Sequence, residues 1–508
     1  MSLKNNYYVS SFFWSTLSKI LTAIVGFISV PLLLGYYGKA EYGILSIATA
    51  CNGYMHLLDL GMNIGAVKYF SQWKAEGNID EIYRVARTNI TFYGIIALIN
   101  IVGLLLLAFL GRSFFSVTDL QFETLQKCLI VIALFSILSW GATTFNQLLI
   151  ADKQMSFTMQ IQCATGLLKG LLVACVFMFD WSLLTYFFVL TAVISLLIVP
   201  YAIRCRQHNL IDSLMPATYW KEFKVVLMFS LSIFALSLFQ MTATQSRPII
   251  LSMFAQDGAS VVADFRIIEV VPQFVIMICG TLSGIFLPKT SEICAKGNQK
   301  DIEHFAYRGT VVTTILACSL CMPFILCSKE VLIAYVGLEH ASLSVWLSLW
   351  MVLILCQVHS TPTNALILAK GKTKALVWVS AIACVLSIFV NMFLAKKYNA
   401  GSAVLGYTIY ILINLTCYYL LFYKQLLKLR RVKILLSFLL PSIIGLVASL
   451  AISWFFSDIS FELSDNIRIN MILMFVLKSS SFLMLFSLLL WTCKLIRVVN
   501  KKVITIWG

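Results

Sequence analysis

Charge is what this chain has least of: 12% of its 508 residues are Asp, Glu, Lys or Arg, and no polar stretch runs much beyond twenty residues. Soluble domains carry about 25% charged residues, so a soluble globular protein is excluded. The short polar connections leave no room for a large extramembrane domain. Histidine is also scarce, and His56, His208, His304, His340 and His359 are scattered without ligand spacing, so no metal site and no cofactor is implied. Cysteine is not scarce. Its fourteen copies fall mostly inside apolar segments, and only Cys318 and Cys321 form a C-x-x-C, with no second pair to complete a metal or redox motif. Packing is their expected role.

What is present is apolar: 60% hydrophobic residues and a mean hydropathy of +0.90. A helix needs about 20 apolar residues to cross the ~30 Å hydrocarbon core. Fourteen such runs can be counted, whereas a transmembrane barrel would show alternating segments of about ten residues. The expected class is therefore an all-α polytopic membrane protein of about fourteen transmembrane helices. The first run, from about Val9, ends in LLLGYYGKAEYG with no small-residue cleavage site and reads as an anchor. The net charge of +16 is distributed by loop. With the N-terminus inside, cytoplasmic segments hold 26 Lys and Arg and the opposite side eight: Lys39, Arg112, Lys127, Arg266, Lys329, Lys396, Lys397 and Arg468. That bias predicts a bacterial inner-membrane protein with both termini cytoplasmic, and it removes nucleic acid as the reason for the basic charge.

Four cations, Lys19, Lys169, Arg247 and Lys478, remain within spans, beside the anionic groups Asp59 and Glu269. Ionisable groups at membrane depth cost roughly 2.5–3.5 kcal/mol on insertion scales and mark cavities or partners. In the second span Asn52, His56, Asp59 and Asn63 recur at steps of four, three and four, which on a continuous helix form one polar face. Lys19 stands beside a stripe of Ser11, Ser15, Ser18, Thr22, Gly26 and Ser29; Lys169 ends a face of Thr158, Gln162 and Thr165; Arg247 ends one of Ser230, Ser237, Gln240 and Thr244. Lys19, Lys169 and Arg247 are the candidate substrate-binding cations; Asp59, Glu269, His56, Asn63 and Lys478 are candidate lumen or ion-coupling residues. Helix packing is the alternative for each polar face. Snorkelling to the nearby outer edge is the alternative for Lys478.

An internal repeat organises these segments. Pro31-Leu-Leu-Leu-Gly returns as Pro248-Ile-Ile-Leu-Ser, and AEGNIDEIYRVART from Ala75 as AKGNQKDIEHFAYRGT from Ala295, at offsets near 220 residues. Two parallel six-helix lobes, 1–203 and 225–423, are expected, followed by an appended helix pair at 434–493 and a basic cytoplasmic tail at 494–508. Parallel repeats of this kind are a transporter architecture.

The turn GKAEYG (Gly38, Glu41, Tyr42, Gly43), the run LLDLG (Asp59, Leu60, Gly61) and the following GAVKYFSQWKAEG resemble the Wzx-type oligosaccharide flippases. That is a family of the superfamily that includes multidrug and toxin extruders (MATE) and the lipid II flippase. The resemblance implies flipping of undecaprenyl-pyrophosphate-linked repeat units of O-antigen or capsule across the lipid bilayer by alternating access. It also implies coupling to H+ or Na+, candidate partners in an O-antigen polymerase and a chain-length regulator, and no enzymatic activity. A multidrug extruder or a lipid II flippase is the alternative within the superfamily, and an integral-membrane polymerase or glycosyltransferase the alternative of another class. An enzyme would need carboxylates on an outer loop; Glu330, Glu339, Asp458, Glu462 and Asp465 are there, without an evident motif.

Overall fold

The computed structural model describes residues 3–296, 298–370, 374–457, 464–493, 495–499 and 502–505. Asp458 and Glu462 lie outside them, as does the Ser237 side chain. The chain is helical almost throughout. In order run α1 (Leu3–Tyr37), α2 (Lys39–Met55), α3 (Met62–Glu76), α4 (Ile79–Leu110), α5 (Asp119–Ala151), α6 (Met155–Phe179), α7 (Leu183–Ser195), α8 (Ile198–Gln207) and α9 (Trp220–Phe254). There follow α10 (Gly258–Lys296), α11 (Gln299–Leu326), α12 (Ser328–Tyr335), α13 (Ser344–Val358), α14 (Thr361–Ala369), α15 (Lys374–Tyr398), α16 (Ala400–Cys417), α17 (Arg431–Phe455) and α18 (Ile467–Thr492). A nine-residue π-helical stretch, Tyr418–Leu426, extends α16. The exception to an all-α chain is in the tail, where β1 (Ile496–Val499) pairs antiparallel with β2 (Lys502–Thr505).

Eleven segments among the described residues are long and apolar enough to cross a membrane, which makes this a multi-pass membrane protein. The other three expected spans are 44–66, which is interrupted, and 225–254 and 267–288, which run inside α9 and α10. The repeat has a physical counterpart at its helix starts. Asn78 precedes α4 and Asn298 precedes α11, where its side chain accepts from the Lys300 N–H. Pro31 and Pro248 each lie inside the helix that opens their copy.

Two compact units form, 1–263 and 264–508. In the first, Phe70, Trp73, Tyr93, Trp140, Phe145, Tyr201 and Phe223 build a core from α3, α4, α5, α8 and α9. In the second, Tyr307, Leu366, Tyr418, Phe422 and Tyr423 centre a core on α11, α14 and the π-helical stretch. Helix α9, which the sequence groups with the second lobe, packs within the first unit. Its glycine-lined contacts explain why: a Cβ on Gly65 would stand 1.9 Å from the Ser230 Oγ, and one on Gly61 2.7 Å from the Ser230 carbonyl oxygen. Only bare backbone fits there.

The connection from α8 to α9 reads in the sequence as a plain basic loop. Instead it is stitched to α4. The Tyr83 hydroxyl donates to the Asn209 carbonyl (2.9 Å), Arg87 Nε to the Met215 carbonyl (3.1 Å), and Thr91 Oγ1 to the Ala217 carbonyl (2.7 Å). The Tyr219 N–H donates to Thr88 Oγ1 (2.9 Å). At its start, His208 Nδ1 lies 2.9 Å from Asp152 Oδ2, while the other oxygen of the same carboxylate takes Lys74 Nζ. Burial, with Arg204 and Lys74 adding repulsion, holds the His208 imidazole below its usual value of 6.5. A base depressed in the folded state contributes full stability above its unfolded value and loses it as pH falls below that value. Lowering pH from 7.5 to 5.5 is therefore expected to lower the protection factors of the amides across 208–219, that is, their exchange corrected for its intrinsic pH dependence. His208→Gln should flatten that dependence; equal protection factors at both pH values in the wild type would contradict this account of the strap.

Candidate functional site

The second span is not one helix. Helix α2 ends at Met55, a 3₁₀ turn occupies His56–Asp59, Leu60 and Gly61 adopt left-handed φ of 51° and 73°, and α3 begins at Met62. The single polar face of Asn52, His56, Asp59 and Asn63 expected from their spacing is thus corrected, since spacing defines a face only while the helix is unbroken. At the break Asp59 caps the helix that follows, because its Oδ2 accepts the Asn63 backbone N–H (3.2 Å) and so satisfies a first-turn donor of α3.

The other carboxylate oxygen ends a buried chain that sequence reading missed. The Tyr93 hydroxyl donates to Asp59 Oδ1 (2.6 Å), Gln147 Nε2 donates to the Tyr93 oxygen (2.7 Å), and Asn89 Nδ2 donates to Gln147 Oε1 (2.6 Å). Tyr93, Gln147 and Asn89 each have 0% exposure. The Trp140 ring stacks on Tyr93 at 5.9 Å and lies 5.2 Å from the His56 ring. His56 and Asn63 are themselves exposed and Asp59 half-buried. These partners come from α4 and α5, 34 to 58 residues apart in sequence from the groups they serve, so no local spacing announces them.

The resembling motif has structural duties. Gly38, at φ 83°, turns the chain into α2. A Cβ on Gly43 would stand 1.8 Å from the Ala259 carbonyl oxygen, so the glycine permits backbone-to-backbone contact with the start of α10. Tyr42 is buried, Glu41 exposed, and Leu60 and Gly61 form the left-handed corner of the break.

All three candidate cations lie in the first unit. Helices α1 and α6 run parallel: Gly166 faces Thr22, Gly170 faces Val25, and at their far ends the Tyr36 hydroxyl donates to the Asp180 carboxylate and the Tyr37 hydroxyl to the Trp181 carbonyl (2.9 Å). Of the α1 stripe, Ser11 and Ser18 are buried, while Lys19 beside them is exposed. Lys169 is half-buried on α6, five to six residues further along the shared axis, about 8 Å at 1.5 Å per residue. Arg247 is 5% exposed, directly before Pro248 in α9. Two residues before it, Gln245 approaches Gly53, so Arg247 lies at the depth of Asn52 in α2.

The second unit's two candidate residues, Glu269 and Lys478, are ion-paired. Glu269, 8% exposed, takes Arg266 Nη1 at 2.5 Å and Gln273 Nε2 at 3.3 Å. Arg266, counted by sequence among outer-loop cations, is a residue of α10. Lys478 Nζ is 2.6 Å from Glu330 Oε1, with the two side chains 14% and 19% exposed, so an ion pair to α12 replaces snorkelling. Of the outer-loop carboxylates, Glu339 is 3.3 Å from His340 Nε2, and the described Asp465 is exposed. No catalytic grouping forms among the described ones.

Helical spans in two units define the class as a polytopic, multi-pass membrane fold. The fold is similar to a solved lipid II flippase, MurJ, in an inward closed conformation, with a TM-score of 0.70 at 12% identity, covering 94% of this chain and 99% of that one. It is also similar to an inward-facing multidrug resistance MATE transporter of the MOP superfamily, at 0.65 and 12% identity over 86% and 98%. A third match is a MOP superfamily transporter from Pyrococcus furiosus with a binding pocket of reversed polarity, at 0.59 and 11% over 88% and 96%. No curated protein sequence matches. The model of the family described as "Polysaccharide biosynthesis protein" matches residues 8–293, more than half of the chain, and the protein belongs to that family.

Breaking a buried ion pair by removing one partner is costlier than replacing both with apolar groups. Lys478→Met alone is expected to lower the thermal midpoint of the detergent-solubilised protein, corresponding to up to about 3 kcal/mol. Lys478→Met with Glu330→Leu should cost less than either single change. Additive losses would mean the two side chains act separately.

Proposed function

We propose that the protein is a flippase for undecaprenyl-pyrophosphate-linked oligosaccharide repeat units of O-antigen or capsule, working by alternating access in the inner membrane with both termini cytoplasmic. Coupling to a proton or sodium gradient belongs to the same reading, as do an O-antigen polymerase and a chain-length regulator as partners. The family match supports a role in polysaccharide biosynthesis. The observation that carries the substrate class is the charge of the first unit. Lys19, Lys169 and Arg247 occupy span depth there, and both oxygens of Asp59 are engaged by the Tyr93 hydroxyl and the Asn63 N–H. The carboxylate's hydrogen bonds thus go to neutral donors, and the unit keeps an excess of positive charge at depth that suits an anion.

A pyrophosphate leaving the headgroup layer must replace its hydration with fixed charge. Lys supplies point charges in succession and Arg a bidentate fork, moderate sites that let the ligand depart. An exporter of cationic drugs, the alternative within the superfamily, would be poorly served by that balance. An integral-membrane enzyme is disfavoured because Glu330 and Glu339 are engaged with Lys478 and His340.

In the native host lacking its chromosomal copy, Lys19→Ala, Lys169→Ala or Arg247→Ala should each reduce surface polysaccharide about tenfold, the scale of one charge-assisted hydrogen bond of about 1.5–3 kcal/mol. Glu at the same positions should be worse, and Arg247→Lys should restore part. Wild-type polysaccharide in all three Glu variants, with insertion verified, would refute the anionic-substrate reading.

A further inference from the structure

The chain of donors behind Asp59 has a direction. Asn89 gives a proton to Gln147, Gln147 gives one to Tyr93, and Tyr93 gives one to the carboxylate, at 2.6, 2.7 and 2.6 Å. An amide offers separate donor and acceptor ends, whereas a hydroxyl can serve either way; the Gln147 amide N–H, by donating to the Tyr93 oxygen, leaves the Tyr93 O–H to point at Asp59. Two amides and a phenol at 0% exposure are expensive to bury unless their hydrogen bonds are made. Here they converge on one half-buried carboxylate at the corner of a broken helix.

We propose that Tyr93, with Gln147 and Asn89 behind it, is a positioning residue: it fixes the orientation of the Asp59 carboxylate at the α2–α3 break, so that Asp59 acts in transport through a geometry that Tyr93 imposes. This rests on the flippase reading for its assay. The hydroxyl carries the effect and the ring does not, because Trp140 holds the ring by stacking at 5.9 Å whether or not the oxygen is present. The groups facing the carboxylate are His56 from its own turn, Tyr93 from α4 and, through Tyr93, Gln147 from α5; helix α9 presents Ser230 and Phe234 to Gly61. Among these the titratable side chains are the His56 imidazole and the Tyr93 phenol. No lysine or arginine among the described residues shares the arrangement.

The test is surface-polysaccharide export in the host lacking the chromosomal copy, with insertion and monodispersity measured for every variant. Tyr93→Phe should reduce export about as strongly as Asp59→Asn, about tenfold. The Tyr93→Phe/Asp59→Asn double variant should be no worse than Asp59→Asn alone, because both remove one interaction. Gln147→Leu, which neither donates nor accepts, should match Tyr93→Phe. Gln147→Glu supplies the diagnostic pH profile. While protonated it still accepts from Asn89 and donates to Tyr93; once ionised it takes the Tyr93 proton for itself. With internal and external pH equalised by benzoate, its export relative to wild type should fall as pH is raised from about 6 to about 9, the upper range for a buried Glu, while the relative export of Tyr93→Phe stays flat. Wild-type export in Tyr93→Phe, an additive double variant, or a flat Gln147→Glu ratio would each overturn the proposal. If Asp59→Asn exports normally, the positioning role falls too, while the substrate reading still stands or falls by the Lys and Arg variants.

Discussion

At membrane depth lipid offers no hydrogen bonds, so an interrupted helix persists only where protein groups or a water-filled cavity replace those it has lost. The break at His56–Gly61 is the point on which the first unit depends. The Leu60 N–H closes back on Leu57 (3.3 Å), those of Ile64 and Gly65 reach the Gly61 carbonyl (3.2 and 3.3 Å), and that of Asn63 takes the Asp59 carboxylate. The corner can form because Gly61 has no side chain to strike Ser230. It is held because α4 and α5 send Tyr93, Gln147 and Asn89 to the other side of the same carboxylate. Helix packing, backbone satisfaction and the placement of a charge are one arrangement.

The two units handle intramembrane charge differently. In the second, Glu269 is matched by Arg266 within α10, and Lys478 of α18 by Glu330 of α12, a pair that would leave an uncompensated charge if either partner were removed. In the first, the carboxylate is satisfied by neutral donors while Lys19 and Lys169 stand on the α1 and α6 pair, staggered along a common axis. Charge paired with charge is structural, and on the proposed reading the first unit's Lys19 and Lys169 serve a ligand instead. That contrast, with membership of the polysaccharide biosynthesis family and a fold similar to MurJ and MATE proteins, gives the functional reading its content.

Much of the architecture was legible because hydropathy and period report what a bilayer demands: the helical class and most of the spans. The site was less so. Counting steps of four and three through Asn52, His56, Asp59 and Asn63 assumed an unbroken helix; the Leu60–Gly61 corner was visible as a glycine but not as a reversal of φ. Tyr93 and Gln147 sit in spans with no periodic polar face to single them out, and their value lies in contacts 34 and 54 residues away in sequence. Glu330, the partner of Lys478, is 148 residues distant. The GKAEYG and LLDLG runs were read as a signature, and their glycines prove to be sites of close backbone approach and left-handed conformation.

The central claim is that this chain moves a lipid-linked anionic glycan from one leaflet to the other. Its most direct test is reconstitution of the purified protein into liposomes containing an undecaprenyl-pyrophosphate-linked oligosaccharide, with membrane-impermeant periodate added outside. The account predicts that oxidation passes beyond the outer-leaflet half of the glycan only when the protein is present, and that Arg247→Glu abolishes the excess. Oxidation that stops at the same half with and without the protein, under an imposed proton or sodium gradient, would contradict it.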